Sequence, residues 1–169
     1  MPKKLSFLQK NHNNTKRDYL QRMQNNKVFC MGIAKKYEKD YWDGDRKYGY
    51  GGYKYIPGRL TSIAKKIIKK FRLNNSSKIL DVGCGKGFLL YEIKKILPGA
   101  TVVGLDISKH GIKNCHPSLK NNLKIFNAKK KLPFKNGQFD LALSFGLYHN
   151  FSIFELEKSL KEFSRVSKK

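Results

Sequence analysis

The segment Ile79-Leu80-Asp81-Val82-Gly83-Cys84-Gly85-Lys86-Gly87-Phe88-Leu89-Leu90 constrains the fold more than any other stretch of the chain. A short apolar run carrying one carboxylate reads as a buried strand, and the apolar residues after Gly87 read as a helix. Between them stand three glycines at alternate positions, where the absence of a Cβ lets backbone approach a ligand closely. A triphosphate loop would need Ser or Thr after Gly85-Lys86, and Gly87 stands there instead. A dinucleotide fingerprint would need glycine at 88, which is Phe88. The spacing Asp81-x-Gly83-x-Gly85-x-Gly87 suits a nucleoside ligand that carries a charged amino-acid tail, with Asp81 near its ammonium. A second apolar run, 101–107, contains Asp106, 19 residues past Gly87, the position from which a carboxylate reaches both hydroxyls of a ribose.

The rest of the chain fits around that unit. Strand-like runs over 78–82, 101–107, 123–127 and 139–145 alternate with helical patterns over 86–97, 108–115 and 153–166, and a basic amphipathic helix is expected over 60–71. Such alternation predicts a parallel sheet covered on both faces. Residues 17–40 carry apolar residues near helical spacing, and 42–55 are too rich in glycine for a regular element and too aromatic for a flexible linker. The expected organisation is a mobile basic arm over 1–16, a helical and Tyr/Gly-rich leader over 17–77, and a ligand-binding domain over 78–169.

Composition narrows the classes. At 169 residues and 40% hydrophobic content the chain has material for one ordinary core. No apolar run approaches a membrane span, and the basic start lacks the apolar stretch of a secretory signal, so a cytoplasmic protein without membrane attachment is expected. Cys30, Cys84 and Cys115 form no CxxC pair and sit beside no histidines at ligand spacing, so free thiols and no metal are expected. The net charge of +24 is carried by 30 Lys and only 6 Arg. A nucleic-acid partner is one reading of it; the spread of lysines with abundant Asn and Ile, as codon bias toward A and T produces, is the other.

With these residues in hand, the sequence resembles the class I S-adenosylmethionine-dependent methyltransferases. The glycine loop and Leu105-Asp106-Ile107-Ser108 match, and Lys131-Leu132-Pro133-Phe134, Gln138-Phe139-Asp140-Leu141 and Leu147-Tyr148-His149-Asn150 look like the segments leading into, along and beyond that family's fourth strand. The resemblance implies an α/β, Rossmann-like, doubly wound parallel sheet with an N-terminal helical extension, and S-adenosyl-L-methionine as cofactor. It implies cofactor contacts from the loop residues Asp81, Gly83, Cys84, Gly85 and Gly87, from Asp106 and Ile107, and from Ser144. Relatives usually carry an acid before the Leu-Pro-Phe segment for the adenine amino group; this chain has Asn127-Ala128-Lys129, so the Asn127 amide or the Ala128 backbone takes that place. Relatives also continue into further strands, so the chain reads as truncated after the fourth strand, with that strand on an exposed, poorly covered edge that a partner or missing segment would complete.

Methyl transfer is an in-line displacement in which the protein aligns the reactants and sometimes takes a proton. His149 is the candidate base and Tyr148 a candidate wall of the acceptor site, while Asp45, Arg46 and Tyr53 of the Tyr/Gly-rich loop are candidates for substrate recognition. The expected function is methyl transfer to an oxygen or nitrogen of a small molecule. A non-catalytic cofactor-binding relative and an RNA methyltransferase are the alternatives.

Overall fold

The computed structural model describes Leu20 and residues 26–169. The arm expected over 1–16 lies outside the described residues, as does most of the first part of the helix expected over 17–40. The chain divides into two compact units, one ending at Lys54 and one spanning Tyr55–Lys169, so the helix expected as the end of a leader groups with the sheet.

In the first unit, α1 (Lys27–Ala34) and α2 (Lys39–Asp43) replace one continuous helix. The break has a local cause. Tyr37 adopts φ 52°, and its carbonyl accepts the indole Nε1–H of Trp42 at 2.9 Å, while the Tyr41 N–H goes to Glu38 instead. Trp42 is buried, and the Tyr/Gly-rich segment closes over it. The Gly52 and Tyr53 N–H groups both donate to the Trp42 carbonyl, Tyr50 stacks on the indole at 5.2 Å, and Tyr53 lies against it at 5.3 Å. Aromatic packing of this kind orders a loop that its glycines alone would leave loose.

The second unit is built on four parallel strands, β1 (Lys78–Val82), β2 (Thr101–Asp106), β3 (Leu123–Ile125) and β4 (Leu141–Leu143), in the order β3-β2-β1-β4. The helices are α3 (Thr61–Phe71), α4 (Phe88–Ile96), α5 (Lys109–Lys113) and α6 (Ile153–Val166). Leu80, Val82, Leu105 and Ala142 pack with Val166 and Phe163 of α6 on one face. Strand alternation turns the equally buried Ile79, Val102 and Leu141 to the other face. α4 packs against β2 and against α3, whose buried stripe is Ile63, Ala64 and Ile67. α6 begins with a capping box in which the Ser152 hydroxyl accepts the Glu155 N–H and the Glu155 carboxylate accepts the Ser152 N–H. From β1 the chain steps outward to β2 and β3, then returns to the other side of β1 as β4. That reversal opens a crevice at the carboxyl ends of β1 and β4, the place where open α/β sheets bind ligands.

The exposed edge expected at β4 is not observed: Leu141, Ala142 and Leu143 are 2%, 6% and 8% exposed. Residues 166–169 turn back along it. The Phe139 N–H donates to the Val166 carbonyl at 3.0 Å, Lys168 N–H to Phe139 at 3.0 Å, and Ala142 N–H to Lys169 at 3.1 Å, with a parallel bridge between Phe139 and Ser167. Backbone pairing from the segment after α6 satisfies the edge that pairing order alone leaves open.

Candidate cofactor site

The turn between β1 and α4 is the centre of the crevice. Gly83 has φ 83°, and a Cβ built on it would lie 2.9 Å from the Leu147 Cβ, so any side chain there meets both backbone strain and a neighbour. Gly87 caps α4 at φ 72°, where a Cβ would lie 2.7 Å from Leu123 Cδ1. Gly83 and Cys84 both donate their N–H to the Leu105 carbonyl, at 2.7 and 3.1 Å, which ties the loop across the top of β2.

Asp106 does the same from its side chain. Its Oδ2 accepts the Gly85 N–H at 2.8 Å and its Oδ1 accepts the Ser108 N–H at 2.8 Å, so the carboxylate is clamped between the glycine loop and the start of α5. A carboxylate with two oxygens is the kind of acceptor that a vicinal diol takes. Ile107, directly beyond it, is 47% exposed and offers an apolar surface at the mouth.

Asp81 is in a different condition. It is 4% exposed, and its Oδ1 is a buried polar atom without a hydrogen-bond partner. Burial first, and then the negative charge of Asp106, push its carboxyl up to about 8, so the acid is held as the neutral form at pH 7. A buried acid with an unsatisfied oxygen beside a glycine loop is what a cationic group would satisfy. Burial and the same two carboxylates push the Cys84 thiol well above its ordinary range, and it donates to the Gly85 carbonyl at 3.7 Å. Cys84 is therefore a packing residue of the loop and no thiolate nucleophile.

The remaining expected residues fall into three groups. Ser144 ties the end of β4 to β1, donating to the Val82 carbonyl at 2.6 Å. Asn127 follows β3, whose register puts the Phe126 N–H on the Asp106 carbonyl; the Asn127 Oδ1 accepts the Lys129 N–H at 3.0 Å, and the Ala128 carbonyl accepts the Ser159 hydroxyl at 3.0 Å. His149 and Tyr148 share the 3-10 turn Tyr148–Asn150, which follows the Leu147 that faces Gly83. His149 is exposed. The Tyr148 ring packs edge-on against Phe151 and Phe163 at 5.6 and 5.9 Å, and burial pushes its hydroxyl up to about 12. Asp45, Arg46 and Tyr53 lie in the first unit, where they build their own loop. Asp45 accepts the Lys47 N–H at 2.9 Å, Arg46 donates to the Gly49 carbonyl, and the Tyr53 N–H donates to Asp43 at 3.1 Å.

Two contributors escape the sequence reading. Gly104 in β2 leaves room for the loop, since a Cβ there would lie 2.7 Å from Cys84 Sγ and would run into Leu123 Cδ2. Leu147 lies over Gly83. A glycine within an otherwise β-branched strand is a sequence signal for such a close approach; Leu147 carries none. Among the described residues, no group of three His, Cys, Asp or Glu could hold a metal ion, and no helix is long and apolar enough to cross a membrane.

Residues 79–169 match the family model of the methyltransferase domain. The ubiquinone biosynthesis O-methyltransferase of Pelagibacter ubique is 30% identical over 143 residues, covering 79% of this chain and 58% of that protein. The demethylmenaquinone methyltransferase of Staphylococcus carnosus is 32% identical over 109 residues, 62% of this chain and 44% of that protein. Among solved structures, the PH0226 protein from Pyrococcus horikoshii OT3 aligns with a TM-score of 0.57 and 25% identity, covering 77% of this chain and 58% of that one. The chain spans about half the length of the curated relatives it matches.

Proposed function

Because the chain belongs to the methyltransferase-domain family of class I S-adenosylmethionine-dependent enzymes, we propose that it binds S-adenosyl-L-methionine at the β1–β4 crevice and transfers a methyl group to an oxygen or nitrogen of a small molecule. The bound cofactor supplies an electrophilic methyl on a positively charged sulfur. In this reading Asp81 faces the cationic amino-acid tail, Asp106 accepts the ribose hydroxyls, and Ile107 with the Asn127–Ala128 backbone borders the base. Gly83, Cys84, Gly85 and Gly87 let the backbone come close, and Ser144 fixes the β4 side of the crevice. His149 is the exposed group that takes the acceptor's proton, while Tyr148 shapes the turn that carries it. An oxygen acceptor accords with the name of the Pelagibacter relative, an O-methyltransferase. A reducing, cytoplasmic setting accords with the free thiols Cys30, Cys84 and Cys115.

The observation that carries the reading is the buried, unpartnered Asp81 Oδ1 beside a glycine loop pinned by Asp106. Calorimetric titration with S-adenosylmethionine and its demethylated product tests it, with circular dichroism to verify folding. Saturable binding that Asp106→Ala abolishes is the expected result. A folded chain that binds neither compound overturns the proposal.

A further inference from the structure

Positive charge is not spread evenly over the second unit. Between residues 55 and 105 the carboxylates are Asp81 and Glu92, and both are buried, at 4% and 1% exposure. Glu92 on α4 is spent inside, accepting the Tyr55 hydroxyl and, at 2.5 Å, the Thr61 hydroxyl. The α6 layer is the opposite. Its Glu155, Glu157 and Glu162 meet Lys129, Lys161 and Arg165 at 2.8, 2.6 and 2.6 Å.

Exposed cations also stand close together on α3. Lys65, Lys66, Lys69 and Lys70 are all exposed on the side away from Ile63, Ala64 and Ile67, and exposed Arg72 follows at the C-cap. Lys169 adds a further cation, its Nζ donating to the Phe71 carbonyl at 3.4 Å. The helix dipole favours cations in the last turn and so accounts for Lys69 and Lys70. It does not account for Lys65 and Lys66 in mid-helix. The pairs Lys65/Lys69 and Lys66/Lys70 stand four residues apart, where like charges destabilise a helix.

We propose that the outer face of α3 docks the phosphate backbone of a nucleic acid without reading its sequence. Compact ammonium groups on long stems suit point contacts to phosphates, whereas base readout draws on the planar guanidinium. The face has no aromatic group for base stacking and no apolar group for insertion into a bilayer: between Ile56 and Ile107 no large hydrophobic residue is exposed. Stable attachment to a lipid surface takes a second, apolar anchor besides basic charge; polyelectrolyte binding takes only cations that release counterions. α3 ends where β1 is about to begin, whereas the glycine loop follows the far end of β1. The docked polymer is thus a tether or address separate from the crevice, and its binding does not depend on the methyl-transfer reading.

Fluorescence anisotropy of the full chain with a labelled oligouridine of about twenty nucleotides, over about 50–200 mM salt, tests the proposal. Replacing Lys65, Lys66, Lys69 and Lys70 by Gln is expected to weaken binding at least about tenfold and to reduce the log–log salt slope by about 2–3, as four lost phosphate contacts require. Replacing Lys130, Lys135, Lys158 and Lys161 by Gln removes the same charge elsewhere and should change affinity less than about twofold. Circular dichroism and S-adenosylmethionine titration serve as controls that the α3 variant remains folded. Equal losses in the two variants would mean attraction by net charge alone and overturn the proposal. So would absence of RNA binding by the unmodified chain, including the case in which it binds phosphatidylserine vesicles instead.

Discussion

The carboxylates at the ends of β1 and β2 are buried to similar extents, yet their polar surroundings are opposite. Asp106 receives one backbone N–H on each oxygen, whereas Asp81 has an oxygen that receives nothing and is held as the neutral acid. Similar burial thus leaves one acid clamped by backbone amides and the other with an oxygen that has no partner. The difference assigns two kinds of work. Asp106 holds the loop in shape, and Asp81 keeps an unsatisfied oxygen that, in the proposed reading, a cation would relieve.

Breaking the Asp106 side of this contrast has the largest expected effect. Asp106→Asn keeps one acceptor oxygen and turns an NH2 group toward the other backbone N–H, leaving that amide buried without a partner. Hydrogen bonds to a charged group contribute about 1.5–3 kcal/mol, so stability in urea should fall by about 2 kcal/mol. Affinity for S-adenosylmethionine should fall by roughly a hundredfold, because the ribose acceptor and the loop shape are lost together. Retained stability and retained affinity would show that the clamp is dispensable.

Gly83→Ala disturbs the loop without touching either acid. The new methyl group meets Leu147 at a backbone φ of 83°, and positive-φ strain costs on the order of 1–3 kcal/mol at non-glycine residues. Thermal denaturation should show that loss, with the pH dependence unchanged. A variant as stable as the parent would mean that the turn carrying Leu147 yields readily.

Asp81→Asn addresses the other side of the contrast, and its sign depends on pH. The native carboxyl titrates near 8 and the unfolded one near its ordinary 3.8, so between those values the native state holds a proton that the unfolded chain has released. Stability contributed by the neutral acid is complete below about pH 4 and is lost as pH rises toward 8. Urea midpoints measured from pH 5 to 9 should therefore fall with a slope that the Asp81→Asn substitution removes. Binding of a cation ionises Asp81, so at pH 7 about one proton should leave on titration with S-adenosylmethionine, read from calorimetry in buffers of different ionisation enthalpy. Because the proton must be displaced, Asp81→Asn should weaken binding only about tenfold at pH 7, and more at pH 9. No proton release would place the cation elsewhere.

What can be read in the sequence follows from how local each cause is. β1 and α6 coincide with their expected spans because a short apolar run and a 3.6-residue stripe are properties of the segment itself. The glycine loop is equally open to reading, since a close backbone approach demands glycine; the hydrogen bond that ties Gly85 to Asp106 is not. The break at Tyr37 is not: it depends on the indole of Trp42 taking a carbonyl five residues earlier. The covering of β4 by residues 166–169 is hidden too, because a helix and a long loop separate the partners. The near approach of Cys84 to Gly104 joins the loop to β2 and has only a lone glycine to mark it.

Tyr148→Phe is expected to change least, and it decides what the turn beyond β4 contributes. The ring packs against Phe151 and Phe163, and burial has moved its hydroxyl to about 12, far from any pH at which it could accept a proton. Removing the hydroxyl keeps that packing, so stability should stay within about 0.5 kcal/mol. Methyl-transfer rates to a phenolic acceptor should keep their pH profile. His149→Ala, by contrast, should lower the methyl-transfer rate at least about tenfold while leaving stability unchanged, because the imidazole is exposed and its loss opens no cavity. If Tyr148→Phe lowers the rate and His149→Ala does not, the proton passes through the half-buried hydroxyl. The division of labour drawn between the two acids would then extend, reversed, to this pair.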